Sequence, residues 1–116
     1  MKVKLKTISD EMLNEGDPSH QSLTPGNLYR VIELSPNKFR VMNDVGEPGL
    51  YPSSWFSVID DRWPDDWVVT VEVDGERTVG PKAFTEDYFW ERYFDGDKKA
   101  ILALKRRLVQ WGYSEE

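Results

Sequence analysis

Cysteine is absent from the 116 residues, which excludes disulfides, thiolate metal sites and a cysteine nucleophile. Histidine occurs once, as His20, in the polar stretch 16–22. No serine or aspartate near it has elbow or triad context, so an ordinary loop histidine is expected there. No window holds the roughly 18 apolar residues of a membrane span. The opening Met1-Lys2-Val3-Lys4-Leu5-Lys6 alternates charge with apolar side chains, unlike a signal peptide. A glycine-rich phosphate loop, G-x-S-x-G and H-E-x-x-H are all missing. Basic excess is lacking too: the net charge is −6, and residues 61–96 carry ten acids against four bases. Phosphate contacts need a basic face, so nucleic acid is not an expected partner. A cytoplasmic, non-enzymatic protein with no cofactor, no metal and no membrane partner is the expectation.

What the chain does have is turn chemistry between short alternating runs. Val3 and Leu5, extended to Ile8, alternate with lysines and predict an edge strand protected by charge. Ser9-Asp10 predicts a cap on a one-turn helix ended by Gly16. Thr24-Pro25-Gly26-Asn27 is a turn signal, and Leu28 to Leu34 reads as a strand. Ser35-Pro36-Asn37-Lys38 turns the chain into Phe39-Arg40-Val41-Met42, a two-residue alternation. Asn43-Asp44-Val45-Gly46 is a tight turn, Pro52-Ser53-Ser54 a second turn or short 3-10 segment, and Phe56-Ser57-Val58-Ile59 a closing strand. Trp67 to Val79, centred on Asp74-Gly75, predicts a hairpin with a type I′ turn, ended by Gly80-Pro81.

The period then changes. Thr85 predicts a helix N-cap, with Phe84 and Phe89 forming a hydrophobic staple over the first turn. Asp95-Gly96-Asp97 breaks that helix, and Asp97 caps another carrying Ile101, Leu104, Leu108 and Trp111 at helical spacing, with Gly112 at its C-terminal end. Its basic end, Lys105, Arg106 and Arg107, complements the helix's own dipole.

Phe, Trp and Tyr make up fifteen of the 116 residues, more than a core of this size needs. Phe39, Phe56, Phe84, Phe89 and Trp111 are expected to fill it. Tyr29, Tyr51, Trp55, Trp63 and Trp67 cluster in or beside the strands and turns. Large aromatics next to acids are the makings of a protein-binding surface. Tyr51, Pro52, Trp55 and Trp63, with Asp61, Asp65 and Asp66 at the rim, are the expected partner-binding residues. Paired carboxylates at Asp60-Asp61 and Asp65-Asp66 lack the environment that separates two pKa values for acid–base work. They also lack calcium-loop spacing.

Gly49-Leu50-Tyr51-Pro52-Ser53-Ser54-Trp55-Phe56 resembles the G-L-F-P-S-N-Y-V segment that closes Src-homology-3 domains, and Thr24-Pro25-Gly26 resembles the turn that opens them. The resemblance spans residues 23–60 and implies a small β-barrel; carried over, Pro52 and Trp55 match groove positions for polyproline peptides. The whole chain is also similar to a family of small bacterial proteins with no established activity, through Tyr29-Arg30-Val31, residues 43–48 and residues 89–97. Together the readings predict one α+β domain, 1–116. It comprises a Src-homology-3-like meander (23–60), an added hairpin (67–79) and two C-terminal helices (85–111), and acts as a non-enzymatic protein-interaction module. The alternatives are an acidic immunity or inhibitor protein that masks a basic toxin, and a small hydrolase or metal-dependent enzyme.

Overall fold

Seven antiparallel strands form one forked sheet, seen in a computed structural model that describes residues 1–7, 9–86 and 88–111. The strands are β1 (Lys2–Leu5), β2 (Leu28–Ser35), β3 (Lys38–Met42), β4 (Pro48–Pro52), β5 (Phe56–Asp60), β6 (Trp67–Val71) and β7 (Arg77–Pro81). Helix α1 (Asp10–Glu15) lies between β1 and β2, and α2 (Phe89–Phe94) and α3 (Lys98–Gln110) follow β7. The path runs β4-β3-β2-β1-β5, with β6–β7 joined to it through β7 on β2. β4 and β5 end this path without pairing to each other among the described residues, so the sheet is open. The class is α+β, as expected.

β2 is the branch point. Its first half pairs with β1, its second half with β3, and Leu34 sits opposite Val79 of β7. β1 shows the alternation read from its lysines, with Val3 and Leu5 fully buried. It is not an edge strand, however, because β5 closes over its other side. The lysines therefore cover one face of an internal strand; Ile8 lies outside the described residues. Apolar side chains collect in two cores. One gathers Val3, Leu5, Tyr29, Val31, Val41 and Trp55 inside the five-strand meander. The other gathers Ile32, Met42, Phe84, Phe89, Leu104 and Leu108 under the helices.

Capping chemistry sets the helix limits. Ser9 Oγ accepts from Met12 N–H at 3.3 Å, and Asp97 Oδ1 from Lys99 N–H at 2.9 Å, so each satisfies a donor without an intrahelical partner. Thr85 does not cap a helix. Lys82–Thr85 is a 3-10 turn in which the Thr85 hydroxyl donates to Lys82 O at 2.7 Å. α2 begins later, after Tyr88 in a left-handed conformation (φ 61°). Phe84 and Phe89 do pack, with centroids 5.0 Å apart, but across that turn rather than as a staple. Gly112 lies outside the described residues.

The loop at Asp74-Gly75 also differs from the type I′ turn. Gly75 takes φ 87° while Asp74 does not have positive φ. Gly75 N–H bonds to Glu72 O at 2.9 Å and Glu72 N–H to Glu76 O at 2.7 Å. This is the three-residue loop with a left-handed glycine bulge. β7 continues through Gly80 to Pro81, so Gly80-Pro81 belongs to the strand instead of ending it before.

Candidate functional site

The connector between β5 and β6 begins with a self-contained clamp. Asp60 accepts from Arg62 N–H and Nε at 3.0 Å and from Nη2 at 2.7 Å. Those hydrogen bonds hold the Asp60 carboxyl well below the usual carboxylate range. Beyond the clamp, the Pro64 carbonyl takes Trp67 N–H at 3.1 Å. This turn leaves Trp63 half in solvent, at 48% exposure, with its ring 6.0 Å from that of buried Trp67.

Helix α3 supplies the opposite wall. Arg107 and Trp111, four residues apart, project from one face of it, and both reach Asp66. Arg107 Nη1 donates at 2.6 Å and Trp111 Nε1 at 3.3 Å. Arg107 also donates to Gln110 Oε1 at 3.0 Å. The result is an open cleft of about 450 Å³ between Trp63, Pro64 and Asp65 on one side and Gln110 and Trp111 on the other. Trp67 Nε1 is buried nearby without a hydrogen-bond partner among the described residues.

The structure brings together Trp63, Asp65 and Asp66 of the expected surface and separates the rest. Trp55 is 2% exposed and its ring stacks on Tyr51, centroids 6.0 Å apart, within the meander core. Tyr51 is buried too. Its hydroxyl donates to Gln21 O at 2.6 Å and accepts from Asn43 Nδ2 at 3.1 Å, and burial raises its pKa. Two of the three expected contact aromatics are thus core residues, Trp55 because the 3-10 turn Ser53–Trp55 swings its indole inward. Pro52 lies in a separate hollow with Asn37, Lys38, Ser53 and Ser54. Asp61 is exposed but outside the cleft, and Asp66 is neutralised by Arg107, so the acidic rim of the cleft reduces to Asp65. Trp111, expected as core, lines the cleft while touching Trp67 and Phe84.

A second polar group lies outside the expected surface. Glu33 is 4% exposed. It accepts from Arg40 Nε at 3.3 Å and from Trp90 Nε1 at 3.1 Å. The Arg40 guanidinium lies 4.1 Å over the Trp90 ring and donates to Pro48 O at 3.1 Å. Burial raises the Glu33 pKa, opposed by the Trp90 hydrogen bond and then by Arg40; burial likewise lowers that of Arg40. Strict alternation would place Glu33 with Tyr29 and Val31. A register shift between Val31 and Glu33 turns it toward α2 instead. Bulges of that kind leave little trace in sequence.

His20 is exposed, and among the described residues no three His, Cys, Asp or Glu side chains stand where they could hold a metal ion. No helix among the described residues is long and apolar enough to cross a membrane. No protein-family model, no curated protein and no solved structure matches this chain. These comparisons therefore add nothing to the Src-homology-3 and bacterial-family resemblances.

Proposed function

We propose that this protein is a non-enzymatic protein-binding module whose contact surface is the connector cleft, with Trp63 as the anchor. One observation carries the reading: a half-exposed tryptophan set against the ring of buried Trp67, beside a carboxylate and across a cleft from a helix. Large aromatics on preorganised supports lose little side-chain entropy on binding and dominate interface energetics. Asp65, with Asp61 close by in sequence, supplies an acidic rim suited to a basic partner surface.

For the fold itself, we read β1–β5 as a Src-homology-3-like unit. The order β4-β3-β2-β1-β5 and the 3-10 turn between β4 and β5 support that reading. The polyproline groove does not follow from it, since Trp55 is buried. The inhibitor alternative draws on the net charge of −6 and differs in its salt response, because steering by opposite charge is screened.

The test is capture of partners from the native lysate by wild type and by Trp63→Ala, at low and high salt. A protein held by wild type and released by the variant is the expected result. Binding that survives Trp63→Ala but vanishes with salt supports the charge-driven inhibitor instead. Equal capture by both proteins in all conditions removes the cleft from consideration.

A further inference from the structure

β6 has one bonded edge and one open edge. The Glu72–Glu76 pair is hydrogen-bonded through Glu72 N–H, and bonded pairs alternate in an antiparallel ladder. Thr70 opposite Thr78 and Val68 opposite Gly80 therefore aim their polar groups at β7, while Trp67, Val69 and Val71 aim theirs away. The outward N–H of Trp67 goes to Pro64 O, which brings the connector across the start of the edge. Among the described residues β6 pairs with β7 alone, so Val69 and Val71 present outward N–H and C=O groups.

The side chains on this strand suit pairing. Val68, Val69 and Val71 are all exposed, Val69 at 52%. No charge, lysine or proline lies within Trp67–Val71, although such residues usually keep an edge from pairing. The β4 edge, by contrast, carries proline at both ends.

Charge selects the occupant. Asp65 and Asp66 precede the strand, and Glu72, Asp74 and Glu76 follow it. A second copy paired antiparallel about Val69 would bring Glu72 and Asp74 of each protomer up to Asp65 of the other, like charge against like at both ends. We infer that the open edge of β6 docks an extended, β-branched segment of a partner protein with Lys or Arg at both ends. The segment adds a strand through the backbone of Val69 and Val71. At the connector end, a basic residue of that segment meets the Trp63 ring and the Asp65 carboxylate. The inference rests on the connector reading above for that end of the surface.

Fluorescence anisotropy tests it with the labelled peptides KRVTVTVRK and EEVTVTVEE. Each is titrated with the whole chain, Val69→Pro and Trp63→Ala at low salt. Proline at 69 removes an outward N–H and no bond to β7, and a thermal melt checks that the variant folds. The basic peptide should bind at least about tenfold more tightly than the acidic one, and Val69→Pro should weaken it about tenfold or more. If Val69→Pro fails to fold, Glu72→Lys/Asp74→Lys replaces it and should reverse the preference between the peptides. Equal affinity for both peptides, or no change in either variant, overturns the inference. So does a concentration-dependent dimer in sedimentation that Val69→Pro abolishes, since that edge then pairs with itself. Loss in Val69→Pro with retention in Trp63→Ala supports the edge and removes Trp63 from it. Loss in Trp63→Ala with retention in Val69→Pro overturns the edge and leaves the connector reading intact.

Discussion

Two hairpins in this molecule share a turn and differ in almost everything else. β3–β4 and β6–β7 are each joined by a three-residue loop ending in a left-handed glycine, Gly46 at φ 77° and Gly75 at φ 87°. The closing bonds match: Asn43 N–H to Glu47 O at 2.9 Å in one, Glu72 N–H to Glu76 O at 2.7 Å in the other. Yet Val41, Met42, Pro48 and Tyr51 of the first are buried, while Val68, Val69 and Val71 of the second face solvent. The first hairpin is wedged between the two cores; Val41 enters one and Met42 the other. The second is attached through β7, its free strand meeting the core mainly at Trp67. Turn chemistry thus makes a hairpin, and its neighbours decide what the hairpin's surface is for. Valines left exposed on one strand of the folded monomer are the feature a partner would explain.

The largest test of that contrast is at Trp55, beside the covered hairpin. Trp55→Ala should cost about 3–5 kcal/mol by urea unfolding, as removal of a buried large aromatic does. Trp63→Ala should cost far less. A small loss at Trp55 would mean the meander core is looser than the packing indicates.

Arg40 on β3 gives an effect of similar size with a pH signature. Arg40→Met leaves the Glu33 carboxylate buried with the Trp90 hydrogen bond alone, and should cost about 3–5 kcal/mol near neutral pH. The sign with pH follows from proton binding. Burial already holds Glu33 above its ordinary value, so above about pH 4.3 the folded state retains a proton that the unfolded state has released. That contribution is fully present below the unfolded value and is lost as pH rises through the folded one. Arg40→Met should move the upper end of the window higher and lose less stability in acid than at pH 7. Glu33→Gln, in which Arg40 keeps Pro48 O and the Trp90 face, should flatten the slope without a comparable loss at neutral pH. Unfolding midpoints from pH 4 to 8 for the three proteins separate these outcomes.

Much of the architecture was legible because it is local. Asn43-Asp44-Val45-Gly46, the caps Ser9 and Asp97 and the β1 alternation act within a few residues and form; Asp74-Gly75 also turns the chain, through a three-residue loop with Gly75 left-handed instead of the expected type I′ turn. The larger failures were long-range, beside local ones at the Thr85 cap and the Asp74-Gly75 turn type. Nothing near β1 announces that β5 will cover it, and nothing in Pro52-Ser53-Ser54-Trp55 says whether the indole turns in or out. The cleft was half legible: Trp63 and Asp65 stand out as an aromatic beside acids, and Arg107 with Trp111 as one helical face. Their meeting through Asp66 spans 41 residues and could not be read. Glu33 was hidden by the register shift ahead of it.

The two glycines offer a smaller and more even comparison. A Cβ at Gly46 or at Gly75 meets nothing within 4 Å, so substitution acts through the left-handed backbone alone. Gly46→Ala and Gly75→Ala should each cost about 1 kcal/mol, and by nearly the same amount. A clearly larger loss at Gly46 would show that the covered hairpin transmits turn strain into the cores.

The smallest expected effect bears most directly on function. Val68→Thr, Val69→Thr and Val71→Thr keep β-branched shape and strand preference while removing exposed apolar surface. Each should change stability by no more than about 0.5 kcal/mol. The same change at Val41 puts a hydroxyl into a core and should cost about 1–3 kcal/mol. A folded monomer gains almost nothing from valine over threonine on an open strand, so stability alone supplies no reason for three of them there. If the triple threonine variant instead melts well below wild type, and the gap widens with protein concentration, the valines are covered in solution by another copy. If the gap is absent at every concentration, the strand is open in the free protein, and its apolar face is available to a different partner.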